Sequence, residues 1–256
     1  MIAALGMYDL PPLQAANDRL WAAIRDGLRA RGVTAPETLT RGEAAYWAAW
    51  EDPGLVFAQT CGFPYRARLH GRVTLVGTPD YGVDGCPPGH YRSILVARAD
   101  DPRQTLAGFD GATLAFNEPL SQSGWAAPMN HARASGIRFV TGPETGGHRL
   151  SAIAVAEGRA DIAALDAVTW SLLQAHDPVA ARLKPVGETD PTPVLPFIAG
   201  KGADADKAFA AAADAIAALS DADRNLLRLR GIVAIPAAAY LAVPTPEPPV
   251  PGAFQP

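Results

Sequence analysis

The sequence predicts an α/β protein of two lobes, each a mainly parallel sheet flanked by helices. Three observations predict it. Short apolar runs that read as buried strands alternate with segments of helical periodicity. That alternation occurs twice, over residues 2–98 and again over 112–175. A Pro-containing stretch, Glu188 to Leu195, then leads to a further apolar run at Pro196-Phe197-Ile198-Ala199, which reads as a return to the first lobe. Strand–helix–strand alternation calls for a parallel sheet covered by helices. Ligands of such sheets sit beyond the carboxyl ends of the strands.

The first lobe opens with a strand over Ile2 to Gly6, ending in Met7-Tyr8-Asp9. A helix is expected from Pro11 to about Arg31, because Leu13, Ala16, Leu20, Ile24 and Leu28 recur at spacings of three and four. Proline suits its first turn, and Gly32 ends it. Thr40-Arg41-Gly42-Glu43 has the spacing of a capping box and predicts a helix through Trp50. Leu55 to Ala58 reads as the second strand and ends in Gln59-Thr60-Cys61-Gly62; Tyr65 to Leu69 is a short helix and Val73 to Val76 the third strand. The polar strand ends Tyr8, Gln59 and Thr60 should therefore share one edge of the sheet.

A Gly/Pro-rich loop, Pro79 to Gly89, precedes a strand over Tyr91 to Arg98. The second series follows. It comprises a strand over 112–116, the polar turn Asn117 to Gly124, a helix over 125–134, a strand over Ile137 to Val140 and a turn over 141–147. A helix from Gly147 or His148 to Glu157, a strand over Asp161 to Leu165 ending in Asp166, and a helix to about Ala175 complete it. Domain limits follow as residues 1–95 with 188–243 for the first lobe, and 96–187 for the second. Alanine-rich helices are expected over 204–219 and 221–230, with Ser220 as a cap. The last thirteen residues, 244–256, include six prolines and read as a loose tail that adds nothing to a core.

The turn after the 112–116 strand carries Ser121, Gln122, Ser123 and Gly124 at a helix start. Free backbone N–H groups and the positive end of the helix dipole make such a start a seat for an anion. Ser123 also reads as a plain helix cap. The next two strand-to-helix turns bring Thr141 with His148, then Asp166 with Thr169-Trp170, to the same expected edge. Serine hydroxyls and amides donate to anionic oxygens, and hydrogen bonds to charged groups contribute about 1.5–3 kcal/mol each. Asp166 would repel a dianion, so it favours a ligand that still carries a proton or has a cationic arm.

Composition narrows the partners. With 22 basic and 26 acidic residues, a formal net charge of −4 and no block of one sign, the chain lacks the basic face that nucleic acid requires. The longest apolar run, Ile232 to Val243, is too short to span a membrane and carries Pro236. The opening Met1-Ile2-Ala3-Ala4-Leu5-Gly6 has no basic n-region. As written the chain reads as cytoplasmic, and as periplasmic where its start is truncated or misassigned. No CxxC occurs and the five histidines are scattered, so neither a metal site nor a cofactor is expected. Cys61 and Cys86 are compatible with one disulfide or with two thiols.

Taken in order, Met7-Tyr8-Asp9, Gln59-Thr60-Cys61-Gly62-Phe63-Pro64, Gly85-Cys86 with Tyr91-Arg92-Ser93, Ser121-Gln122-Ser123-Gly124, Thr141-Gly142 with Gly147-His148, and Asp166 with Thr169-Trp170 resemble the phosphate/phosphonate-type substrate-binding proteins of ABC transporters, of the type 2 periplasmic binding protein fold. The resemblance covers roughly residues 1–200. It implies two α/β lobes joined by two crossing strands, with the ligand in the cleft between them and hinge closure around it. By position it implies Ser121, Ser123, His148 and Asp166 as ligand contacts of the second lobe, and Tyr8, Gln59, Thr60 and Tyr91 as those of the first lobe and hinge; Gln122, between the two serines, departs from the family's pattern and is expected as a contact that sets this chain's own ligand selectivity. The partners implied are a small oxyanion and an ABC permease, with the protein a monomer and not an enzyme.

Two other classes are compatible with the residues. One is an enzyme on the same scaffold, with His148 and Asp166 as base and orienting partner and Cys61 or Ser123 as nucleophile. No G-x-S-x-G elbow, phosphate-loop lysine or H-E-x-x-H accompanies them. The other is a cytoplasmic ligand sensor that presents its bound form to a partner protein.

Overall fold

The computed structural model describes residues 1–250. The described chain divides into two compact units, one of residues 1–90 with 193–242, the other of residues 91–192 with 243–250. In the first unit β1 (Ile2–Ala4) leads through two tight turns to α1 (Gln14–Ala30). The expected stripe of α1 is the one that is buried: Leu13, Ala16, Leu20, Ile24 and Leu28 are each at most 3% exposed, and burying a Leu or Ile side chain stabilises by about 1.5–3 kcal/mol. α2 (Trp47–Trp50), β2 (Leu55–Gln59), α3 (Gly62–Pro64), which runs on into a wider turn over Tyr65–Leu69, and β3 (Val73–Asp80) follow.

The capping-box helix does not form as expected. Gly42 has φ +66, a left-handed conformation that ends a right-handed helix before it starts. The Thr40 backbone N–H is committed to the Ala3 carbonyl at 2.7 Å. Only a tight turn over Gly42–Ala45 and the single helical turn α2 remain, the latter held by packing of Trp50 and Ala49 into the core around Leu55, Ala58 and Ile198.

β4 (His90–Tyr91) lies where the chain passes to the second unit. There follow β5 (Ser93–Arg98), β6 (Thr113–Phe116), a wide turn over Gln122–Ala126, α4 (Ala127–Ala134), β7 (Val140–Glu144), α5 (His148–Ala156), β8 (Ile162–Asp166), α6 (Ala167–His176) and β9 (Leu183–Glu188). The strand order is β7-β6-β8-β5-β9. β6 runs parallel to β7 and β8, and β5 runs antiparallel to β8 and β9. Val96, Ala115, Ala163 and Leu165 pack from this sheet against Ala152, Val155 and Leu173 of α5 and α6.

β7 begins where the expected strand ends. The Ile137 N–H closes α4 on the Ala132 carbonyl at 2.8 Å, and the Arg138 carbonyl accepts from Gly111, so residues 137–139 serve as a connection. Pairing with β6 starts only at Val140 and Thr141. Gly142 makes it possible, because a Cβ there would stand 2.6 Å from the Leu114 carbonyl oxygen.

β10 (Thr192–Pro193) pairs with β4, and the chain re-enters the first unit as β11 (Phe197–Gly200). α7 (Ala205–Ala217), α8 (Asp221–Leu227), β12 (Gly231–Val233) and α9 (Ala237–Leu241) complete it. The first sheet has the order β1-β2-β11-β3-β12. β1 and β2 are parallel, whereas β11 inserts antiparallel between β2 and β3 because it enters at their carboxyl ends, Phe197 opposite Gln59. Asp204 and Ser220 cap α7 and α8 through the Lys207 and Asp223 N–H groups.

The passages between units fall at 90/91 and 192/193 rather than at 95 and 188. The reason is β5, which is bonded along its whole length to β8 and β9, so its first half cannot belong to the other sheet. In the tail, the Glu247 carbonyl accepts from the Trp125 indole N–H at 3.1 Å and that of Pro244 from the Asn130 amide at 2.8 Å, while none of residues 244–250 is buried. Its final residues, 251–256, lie outside the described residues. Among the described residues no helix is long and apolar enough to cross a membrane.

Candidate functional site

In the second unit the chain leaves β6 at Phe116 and turns sharply. The Ser121 carbonyl accepts from both Trp125 at 3.2 Å and Ala126 at 3.0 Å, which opens the wide first turn ahead of α4. The Ser121 hydroxyl accepts from the Gly124 N–H at 3.0 Å, so this serine is a helix cap. Gly124 is required there, because an added Cβ would stand 2.8 Å from the Asn117 side-chain oxygen and 3.0 Å from Ser121 Oγ. Gln122 and Ser123 are buried beside it.

Ser123 has a different position. Its Oγ lies 2.8 Å from His148 Nε2, and its carbonyl accepts from the Ser93 hydroxyl at 2.9 Å. His148 is the first residue of α5, and its approach is set by a polar cluster that sequence reading passed over. Thr145 donates to the Phe116 carbonyl at 3.0 Å and shares a 2.7 Å contact with Ser151, whose hydroxyl donates to Asn117 at 3.2 Å. The start of α5 is thereby tied to the same turn that carries Ser121–Gly124. The signal in the sequence was the polar pair Asn117 and Thr145, each just past a strand end.

The His148 imidazole is desolvated, and this pushes its pKa down to about 4; the Ala164 backbone offsets part of the effect. The ring is therefore neutral at pH 7. Among the described residues no side chain hydrogen-bonds Nδ1, so no carboxylate orients the imidazole there. What the arrangement does offer is a hydroxyl and a neutral imidazole held together, able to donate to an anionic oxygen without a full counter-charge.

Asp166 sits at the end of β8, opposite Ser93 in register, and is fully buried. Its Oδ1 accepts from the Val168 and Thr169 N–H groups at 2.7 and 3.0 Å, which makes it the cap of α6. Tyr91 is buried at 1% exposure immediately before this sheet. Ser93 connects the set, since its hydroxyl holds the Ser123 carbonyl while its N–H donates to Thr189 Oγ1 at 3.0 Å.

In the first unit the structure brings Tyr8 and Gln59 to one small cavity of about 20 Å3, which Asn17, Tyr81 and Phe197 also line. That is room for about one water. Tyr81, in the loop after β3, is the member that sequence reading missed. Its ring meets Tyr8 edge-on at 5.0 Å, and its hydroxyl accepts from the Gln59 amide at 2.9 Å. Gln59 also donates to the Leu195 carbonyl at 3.2 Å. Asn17 fixes the Tyr8 turn by donating to the Tyr8 carbonyl and to Asp9, whose carboxylate is held by Arg41 at 2.7 Å. Thr60 is fully buried, with its N–H on the Pro196 carbonyl at 3.0 Å and its hydroxyl without a hydrogen-bond partner. Cys61 is buried and Cys86 half-buried. Among the described residues no group of three His, Cys, Asp or Glu could hold a metal.

The fold is shared with several solved proteins. XAC2383 from Xanthomonas citri, in a structure bound to chloride ion, superposes with a TM-score of 0.69 at 17% identity, covering 95% of this chain and 98% of that one. PhnD1 from Prochlorococcus marinus, in complex with methylphosphonate, gives 0.68 at 14% identity, with 93% and 94% covered. The binding protein component PA3383 of an ABC phosphonate transporter from Pseudomonas aeruginosa gives 0.63 at 16% identity, with 91% and 81% covered. At such identities the likeness concerns the fold. No curated protein matches the sequence. Residues 54–239, well over half of the chain, match the family model of the phosphonate ABC transporter, periplasmic substrate-binding protein. The chain belongs to this family of substrate-binding proteins.

Proposed function

We propose that the protein binds a small oxyanion, phosphate- or phosphonate-like, and presents it in the periplasm to an ABC permease. The observation that carries this reading is the contact between Ser123 Oγ and His148 Nε2 at 2.8 Å, made by a desolvated imidazole that stays neutral at pH 7. A neutral donor pair suits an oxyanion bound by hydrogen bonds more than by charge. Ser121, Gln122 and Asp166 are the neighbouring contacts we assign to the same seat, with Asp166 selecting a ligand that retains a proton. Tyr91 and, in the first unit, Tyr8, Gln59 and Thr60 are proposed as further contacts. The methylphosphonate complex of PhnD1 supports the ligand class by fold and family.

Isothermal titration calorimetry of the purified protein with methylphosphonate, phosphate and sulfate tests the reading. Binding of methylphosphonate or phosphate that weakens in Ser123→Ala and in His148→Ala is expected. Absence of heat with every one of these anions, from protein first unfolded and refolded to strip retained ligand, would overturn it. The cytoplasmic sensor and enzyme alternatives make other predictions. A sensor would capture a soluble partner only when liganded, and an enzyme would convert the ligand during the titration.

A further inference from the structure

The first unit carries a second concavity that shares no residue with the candidate site. It opens at the amino ends of β2 and β3, where β11 finishes, and encloses about 310 Å3. Its floor is apolar and fixed: Trp50, Leu55 and Leu69 are 2%, 6% and 0% exposed. Four charged side chains, Glu51, Asp52, Arg72 and Lys201, stand around it.

Those four are not equivalent. Glu51 is gripped by Arg68 through two bonds of 2.7 and 2.6 Å, and the Arg68 guanidinium lies 4.6 Å from the centre of the Trp47 ring. The Asp52 carboxylate accepts the Gly54 N–H at 2.6 Å. Glu51 is thus ion-paired within the chain, whereas Asp52 keeps its charge with a backbone donor and leaves the two cations in excess by one. Arg72 and Lys201, by contrast, have no side-chain hydrogen bond or ion pair among the described residues. The Arg72 backbone is nonetheless fixed, with its N–H on the Leu69 carbonyl at 2.8 Å. Two uncommitted cations over an apolar floor in a cavity of ligand size form a lopsided site: it attracts negative charge and rewards an apolar body.

We propose that this cavity is a second binding site, for a small amphipathic anion: a carboxylate or phosphate ester carrying an apolar body the size of one aromatic ring. The guanidinium of Arg72 takes the anionic group in a two-pronged hydrogen bond, Lys201 adds a point charge, and the ring lies against the accessible apolar wall of Pro53 and Val73, above the buried Trp50, Leu55 and Leu69. A free oxyanion without such a body gains only the exposed charges, which salt screens, and binds far more weakly. Trp50 also supplies a reporter, because its indole N–H donates to the Gln59 carbonyl at 3.0 Å and its ring forms the floor.

The test is titration of the full-length protein with phenylacetate, followed by calorimetry and tryptophan emission, with acetate as the probe lacking the ring. Phenylacetate should bind the parent protein and the Ser123→Ala/His148→Ala protein equally. Its affinity should fall by about tenfold or more in Arg72→Gln/Lys201→Gln. Both replaced side chains are exposed, and an unchanged melting temperature will show that the variant folds. Acetate should give no saturable signal. The proposal is overturned if phenylacetate gives no saturation in the millimolar range, if Arg72→Gln/Lys201→Gln leaves its affinity unchanged, or if the Ser123→Ala/His148→Ala protein alone loses it.

Discussion

His148 Nε2 and Ser123 Oγ stand 2.8 Å apart, joining the first residue of α5 to the turn that follows β6. The contact crosses twenty-five residues of sequence and links two strand-to-helix turns that secondary structure alone leaves separate. Ser121, two residues earlier, spends its hydroxyl on the Gly124 N–H instead. Two serines that look alike in the sequence therefore have different tasks, and that difference can be measured.

Ser123→Ala should lower affinity for the oxyanion by about tenfold to a hundredfold, the loss of one hydrogen bond to a charged group, and should also cost about 1–3 kcal/mol of stability because it leaves His148 Nε2 without its partner. Ser121→Ala should instead cost about 1 kcal/mol of stability, the usual penalty for a lost cap. Thermal melts and calorimetry on the two single variants separate the roles. Equal affinity losses in both would contradict the division.

The buried imidazole predicts an acid-sensitive step. The folded-state pKa of His148 lies near 4 against an ordinary 6.5, the cause being desolvation. An unfolded chain takes up the proton first, so stability is complete above about pH 6.5 and declines as pH falls toward 4. His148→Gln should remove that step. A second loss should remain at lower pH, because Arg103 holds the Asp101 carboxylate down to about 2 from 3.8, and that contribution disappears as pH falls through this range. Urea midpoints measured from pH 8 to pH 2 for both proteins would reveal the two steps.

Gly142→Ala should destabilise the second unit by about 1–3 kcal/mol. A Cβ at this position would lie 2.6 Å from the Leu114 carbonyl oxygen, and a backbone atom in a sheet cannot step aside as a side chain can. Hydrogen exchange on β6 and β7 should show the loss first, with α1 and α7 of the other unit unaffected.

Tyr81→Phe should cost about 1 kcal/mol, since the Gln59 amide keeps the Leu195 carbonyl but loses its shorter acceptor. The ring itself remains against Tyr8, so near-ultraviolet circular dichroism should hardly change. A thermal melt indistinguishable from that of the parent protein would show that the Tyr81 hydroxyl is not a structural partner of Gln59.

Much of this protein was legible before folding was considered. The stripe Leu13, Ala16, Leu20, Ile24 and Leu28 identifies α1 and its buried face because helix period and burial are both local properties. The same holds for the strand cores around Phe57, Val96 and Ala163 and for the capping role of Ser220. The order of polar strand ends was enough to indicate the family. Where the reading erred, the missing information was distant in sequence. The helix expected from Thr40 fails because Ala3 claims the Thr40 N–H, and β7 starts late because its register belongs to β6.

Residue types and their order thus determined by themselves the fold class, the family and which turns carry polar side chains, since these follow from periodicity and from hydrogen-bonding groups near one another along the chain. Only the tertiary structure decided that Ser123 meets His148 while Ser121 caps a helix, that Asp166 caps another, and that Tyr81 joins Tyr8 and Gln59. A hydrogen bond is set by separations of about 3 Å and by direction, and no spacing in the sequence specifies either until the sheets are paired. In the Asn117–Gly124 turn, the sequence showed several donors at a helix start; the fold decided which serine faces the imidazole.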